Sequence, residues 1–459
     1  MFKKHLFLFV IFFIILFSIT SFAEGISSKI NVSEKPIINV DFSALLLVAS
    51  PDGRRVAYAS QMASKQFVVV DGKAEKHYDG ISANLSFSPD SRHWAYGAQS
   101  GNKQIVIVDG EEGKQYDTIG SSLAFSPDGG KIAYAAKNGK KCFVVVDGQE
   151  KENYEGIGSS FVFSPDSRHF AYGVLSKGKQ LVILDEKEGK KYDAVGSTIV
   201  FSPDSQKLVY WARSDKKQFV VINGKEESSY DFIRPFFAFS PDGKHLTYVA
   251  QKGNKWLAVV DGKEGKQYDN IGSTVIFSPD SKHIAYAAQS GNKRFVVIDG
   301  QDGSSYDNIG SSFVFSPDSR HFAYVAQSGA KRFVVVDGKE EKRYDNIGYD
   351  SIVFSPDSRR VLYGVQSGNK RFVVVDGKEG KQYDDIVTPS LTFSPDSKVF
   401  VYVARSANKQ VVIVNEKEID QYNLILSIGK GSFVFDSFDT FRCLALKDKK
   451  IYLVEFKIK

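Results

Sequence analysis

Phe315-Ser-Pro-Asp-Ser-Arg-His-Phe-Ala-Tyr324 is a phrase that returns, with small changes, through almost the whole 459-residue chain. Its proline recurs at Pro51, Pro89, Pro127, Pro165, Pro203, Pro241, Pro279, Pro317, Pro356 and Pro395, in seven intervals of 38 residues followed by two of 39. Ten of the 13 prolines therefore occupy one repeated position. A fixed period of this length marks an array of small units, each burying its apolar faces against its neighbours.

Residues 311–348 serve as the type unit. Ser312-Phe-Val-Phe-Ser316 is a short apolar run that ends in Pro-Asp-Ser, where proline presets a tight turn and Asp and Ser favour the positions around it. His321-Phe-Ala-Tyr-Val-Ala326 then runs to Gln327-Ser-Gly-Ala, a glycine-bearing hairpin, and Arg332-Phe-Val-Val-Val336 follows, rich in β-branched residues. Asp337-Gly338 opens another turn, and Lys342-Arg-Tyr-Asp-Asn-Ile347 reads as a fourth, more polar strand. No 3.6-residue period appears in the unit.

Four short antiparallel strands per repeat, apolar first and polar last, describe the blade of an all-β propeller, with the first strand at the axis and the fourth towards water. The unbroken apolar runs Phe333–Val336 and Phe372–Val375 fit sheets covered on both faces. The two ends of the chain support closure. Asn39-Val40-Asp41-Phe42 aligns with the fourth strand of other units, while residues 431–456 form a degenerate eleventh unit with three strands, at Ser432–Phe435, Arg442–Leu446 and Ile451–Phe456. An N-terminal strand added to that incomplete unit would hide two strand edges. The array thus spans residues 37–459 as ten full repeats and a degenerate eleventh. Eleven exceeds the roughly four to eight blades of a usual ring. Two rings dividing near residues 232–237, at Phe232-Ile-Arg-Pro-Phe-Phe237, are the alternative; matching partial units at the termini favour one ring.

Ahead of the array, Lys3 and Lys4 precede the apolar run Leu6–Phe17 and the small-x-small site Ser21-Phe22-Ala23. That is the pattern of a secretory signal peptide over residues 1–23, followed by a lead-in at 24–36. Cleavage would leave a chain beginning near Glu24, with no membrane span, soluble and either periplasmic or secreted. Only Cys142 and Cys443 are present, far apart, so an exported chain would not rely on disulfides. The 60 basic and 54 acidic side chains give a formal charge of +6 and are interleaved, with no cationic block suited to nucleic acid.

The repeated Phe-Ser-Pro-Asp-Ser/Gly, a basic residue or His, then Ala-Tyr, as in Phe87–Tyr96 and Phe277–Tyr286, resembles the WD-like propeller repeat of TolB-type bacterial proteins over about residues 43–422. The resemblance implies the blade. It also implies a setting among periplasmic scaffold proteins or accessory domains of peptidases. The separate α/β domain of TolB has no counterpart here, and Trp94, Trp211 and Trp256 are followed by Ala, Ala and Leu rather than by the Asp of eukaryotic WD repeats.

The recurring polar positions are the candidates for chemistry. No Gly-x-Ser-x-Gly elbow, Walker loop or His-Glu-x-x-His is present. His93, His169, His245, His283 and His321 recur four residues after the turn proline, but Arg55, Lys131, Lys207, Arg360 and Val399 share that place, which fits a strand start better than a ring of metal ligands. The pairs Tyr116-Asp117, Tyr268-Asp269 and Tyr306-Asp307 read as an outer-strand Tyr packed on the next blade with Asp capping a turn. Asp52, Asp90 and Asp128 read as turn formers.

Sequence alone therefore assigns no catalytic, cofactor-binding or metal residue and no cofactor. It expects a non-enzymatic, exported propeller that binds or scaffolds protein partners in the cell envelope. A multivalent glycan binder is the second reading. The third is a hydrolase or lyase in the central channel, for which Arg234, Pro235 and Phe236 form the one deviant cluster.

Overall fold

In the computed structural model, residues 30–39, 46–82, 85–348, 351–429 and 431–459 are described. The segments proposed as signal peptide and cleavage site lie outside them. Among the described residues every regular element is a β-strand, and the strands form eleven antiparallel sheets of four or five, arranged as one closed ring. The chain is an eleven-bladed β-propeller.

Blade 8 shows the logic. Its strands are Asn308–Phe315, Phe322–Ser328, Lys331–Val336 and Lys339–Glu340. The first strand carries a bulge: Ile309 pairs with Ala326 and Phe313 with Tyr324, so two extra residues lie opposite Val325. The hairpin between the third and fourth strands turns at Asp337-Gly338, both at positive φ, as a two-residue hairpin of the favoured hand requires.

The expected fourth strand Lys342–Ile347 is corrected. Lys339–Glu340 is the fourth strand, Tyr344 forms a lone bridge to Arg332, and Asn346–Ile347 already opens blade 9. The crossover falls at Tyr344-Asp345, because the Asp345 N–H donates to the Gln366 carbonyl of the next blade.

Blades meet through layers of apolar side chains. Tyr306 of blade 8's predecessor packs edge-on to Tyr324, 6.4 Å between centroids, and the pairs Tyr116–Tyr134 and Tyr268–Tyr286 repeat the contact. First strands of neighbouring blades approach one another around the axis. At the usual sheet spacing of about 10 Å, eleven of them describe a circle roughly 35 Å across between backbones.

The ring is closed by its ends. The eleventh blade holds Leu424–Ile425, Val434–Phe435, Thr440–Lys447 and Lys450–Ile458, and Ile30–Asn39 adds its outer strand, paired from Ile30 with Ile458 to Asn39 with Lys450. The closing strand thus begins at Ile30, earlier than alignment on the turn proline suggests; residues 40–42 lie outside the described residues. Ile38, Leu444 and Ile451 of this blade join Val56, Tyr58 and Val69 of blade 1 in one buried cluster. Arg442, 5% exposed, donates to the Asp52 carbonyl across the same seam.

A polar latch repeats between blades. In each turn, Ser316-type hydroxyls donate to Asp318-type carboxylates, which accept the N–H two residues on. The Asp280 N–H then donates to the Ser319 hydroxyl of the following blade at 2.9 Å, and Asp128–Ser167, Asp166–Ser205 and Asp318–Ser358 repeat this. Ser319 stands at φ 65°, a left-handed backbone that Gly53, Gly129 and Gly243 adopt at the same place.

A Ser319→Gly variant keeps this backbone and loses the hydroxyl, so it is expected to destabilise by about 1 kcal/mol. Ser319→Ala adds left-handed strain to the same loss and should cost roughly 1–2 kcal/mol more. Denaturant unfolding checks the order; an Ala variant as stable as the Gly variant would contradict it.

Candidate functional site

The turn face carries the five recurring histidines, and the structure gives each a structural partner. His93, His169, His245, His283 and His321 place Nδ1 at 2.6–2.7 Å from Asp109, Asp185, Asp261, Asp299 and Asp337 of the same blade. The other carboxylate oxygen accepts the N–H of the residue after each histidine. Three of the rings also stack over a phenylalanine of the next blade, at Phe201, Phe277 and Phe354. Arg55 and Arg360 make the same bond to Asp71 and Asp376. Among the described residues no three His, Cys, Asp or Glu side chains converge on a metal position.

The Tyr-Asp pairs are junctions. Asp117 accepts Lys103 Nζ and the Gly139 N–H, and Asp269 accepts Lys255 Nζ and the Gly291 N–H; Asp307 accepts the Gly329 N–H. Each carboxylate therefore caps a hairpin of the following blade, and these donors hold Asp117 and Asp269 below the usual carboxylate range. The turn aspartates Asp52, Asp90 and Asp128 accept the hydroxyls of Ser50, Ser88 and Ser126. In Asp242 and Asp280 the equivalent serine bonds, helped by a backbone N–H, depress the carboxyl to about 2. Both cysteines are free; Cys443 is fully buried, which pushes its thiol up.

The deviant cluster lies in the first strand of blade 6, Phe232–Phe239. Arg234 stands where blades 3, 4, 5, 7, 8 and 9 have glycine. Its guanidinium lies 4.3 Å over Trp256 and donates to Asn270 Oδ1 of blade 7 at 2.8 Å, while burial lowers its pKa. Phe232 and Phe236 are 41% and 42% exposed, the former edge-on to Trp256. The partners of Arg234 among the described residues, Trp256 and Asn270, are neither acid nor base.

A feature the sequence reading missed lies at the opposite face, beside the bulges. The residue after the buried second-strand tyrosine points into the gap between its own blade and the next. Along the ring it reads Ala59, Gly97, Ala135, Gly173, Trp211, Val249, Ala287, Val325, Gly364 and Val403. At Gly173 the gap is a cavity of about 340 Å³, and at Gly97 one of about 400 Å³. At Ala287 it falls to about 190 Å³. At Trp211 the indole fills it, lying where a Cβ on Gly196 would be. Arg234 with Trp256 fills the next gap, and Thr388 presses on Gly364 in another. The signal was present in the sequence as one repeat position ranging from Gly to Trp.

No protein-family model matches this sequence, and no curated protein does. Among solved structures, the chain is similar to a eukaryotic initiation factor at 15% identity, covering 72% of this chain and 96% of that one, with a TM-score of 0.40. The Dos1 propeller overlaps at 14% identity, 65% and 92% coverage and a TM-score of 0.34. TolB from Acinetobacter baumannii overlaps at 14% identity, 56% and 77% coverage and a TM-score of 0.26.

Proposed function

We propose that the ring is a non-catalytic docking scaffold for protein partners, exported to the cell envelope as TolB-type propellers are. One observation carries the reading: the recurring histidines, aspartates and serines, the groups that could do chemistry, are engaged in bonds within a blade or between neighbouring blades. Arg234, the centre of the deviant cluster, is likewise engaged with Trp256 and Asn270. What the ring offers to solution is shape and repeated surface, with charged turns at one face and amide-rich hairpins at the other. Export rests on the pattern at residues 1–23.

The test is crosslinking and affinity capture with the mature chain in its native envelope. A captured protein that rebinds the purified ring at fixed stoichiometry supports the scaffold, and the processed chain should begin near Glu24 by N-terminal sequencing. Turnover of an envelope substrate by the purified ring would overturn it. Glycan-array binding that strengthens with ligand valency would favour the lectin reading instead.

A further inference from the structure

The gaps between blades form a graded series in which the same position is left empty, half filled or plugged by the chain itself. We propose that the open gap at Gly173, between blades 4 and 5, is a binding slot for a neutral planar aromatic group of indole size. The chain supplies the template one blade further on. Trp211 is the residue equivalent to Gly173, and its indole occupies the equivalent gap between blades 5 and 6. The two gaps share their surroundings: the Ser160 hydroxyl donates to the Ser197 carbonyl across the first lip, and the Thr198 hydroxyl donates to the Pro235 carbonyl at 3.0 Å across the second.

Shape and polarity agree. The slot of about 340 Å³ lies between the glycine backbones of blade 4 at Gly158 and Gly173 and the Val195 and Ile199 side chains of blade 5. Ile199 Cδ1 stands 3.7 Å from where a Cβ on Gly173 would be, so the open part of the cleft lies over Gly158, the equivalent of the Gly196 that the Trp211 indole covers, and suits a ring inserted edgewise. The polar lining is confined to Ser159, Ser160, Ser197, the Gln180 amide and backbone groups, with no charged residue among them. An uncharged ligand is therefore selected, because a buried carboxylate or ammonium would lack a counter-charge. The Gln180 carbonyl is already committed to the Val195 N–H, which fixes the blade 4–5 spacing that sets the slot's width. Glycine alone does not make a slot: Gly364 has the same backbone, but Thr388 presses into the space above it. The gap at Gly97 differs in the same way, since Ser82 stands in place of Gly158 and its hydroxyl presses on Gly97 where a Cβ would be.

The slot stands apart from the docking role, so its failure leaves that role untouched. Isothermal titration of the full chain with indole tests it. The wild-type ring should bind indole saturably, and indole-3-acetate at least about tenfold more weakly, the cost of its charge. Gly173→Trp copies the chain's own plug and should remove one site. Trp211→Gly should add one, and indole should restore the melting temperature this variant loses. Should Gly173→Trp not fold, the added site in Trp211→Gly decides alone. An unchanged site count in a folded Gly173→Trp, or no gain and no rescue in Trp211→Gly, overturns the assignment. A capped Ser-Trp-Ser peptide is titrated in parallel. Tighter binding than free indole identifies a partner's side chain as the source, and weaker binding identifies a free aromatic molecule.

Discussion

Removal of residues 1–39 is expected to convert a cooperatively melting ring into a destabilised, self-associating species. The deleted strand pairs along the whole of Lys450–Ile458. It also buries Ile38 to 7% exposure and packs Ile30 and Val32 against the cluster shared by blades 10 and 11. At about 1.5–3 kcal/mol for each fully buried aliphatic side chain, and less for the partly buried ones, the loss is on the order of 5 kcal/mol. Loss of the strand also bares the edge of Lys450–Ile458, a template for pairing with a second molecule. Thermal melting and size-exclusion chromatography read the two effects. A synthetic peptide spanning residues 28–40, added in trans, should recover most of the lost melting temperature by refilling the edge. A truncated chain that melts like the intact one would show that the outer strand is dispensable, and with it the account of closure.

The second large effect is a steep loss of structure in alkali. Tyrosines occupy two positions of nearly every repeat, and burial raises them above their ordinary value near 10. Tyr134 and Tyr210 are pushed up to about 12, and Tyr96 and Tyr324 further still. The sign follows from which state binds the protons. Below pH 10 both folded and unfolded tyrosines are protonated and the contribution is whole. Above pH 10 the unfolded chain ionises first, so stability falls with rising pH until the folded ring can no longer hold its phenols neutral. Because many sites release protons together, the transition should be sharp. Tyrosinate absorbance near 295 nm should stay low past pH 10 and rise together with the collapse of the far-ultraviolet signal. A gradual titration centred near 10 in a ring that remains folded would contradict the buried pairs. In acid the converse holds for the turn carboxylates. Asp242 and Asp280, held at about 2, contribute stability that is present above the ordinary carboxylate range and lost as pH falls towards 2.

The period of the Ser-Pro-Asp turn made the blade, the ring and its clasp legible, because turn chemistry and apolar runs are local. What escaped was the handover between blades. Tyr344-Asp345 reads as strand by composition, but Asp345 serves the next blade's hairpin, a contact no single unit displays. The histidine partners were in fact readable by comparing repeats. Where the strand starts with His or Arg, the residue sixteen on is Asp, as in His321 and Asp337 or Arg360 and Asp376. Where it starts with Lys207 or Val399, that residue is Asn223 or Asn415. In the same way Gln104 and Gln180 accept the N–H groups of Ile119 and Val195, whereas Arg332 meets Asn346. The slots were harder to see, since they depend on three strands at once: the second-strand residue, the bulge it faces and the neighbour's first strand.

The clasp has a genetic corollary. Only the last unit lacks its own outer strand, so the N-terminal strand finds its place by that vacancy and not by counting blades. Joining ends some four hundred residues apart costs only about 2 kcal/mol more loop entropy than joining adjacent units. Near-identical 38-residue tracts invite unequal recombination, and a gain or loss of one tract changes the circumference while sparing the clasp. The width of the opening would follow the number of tracts.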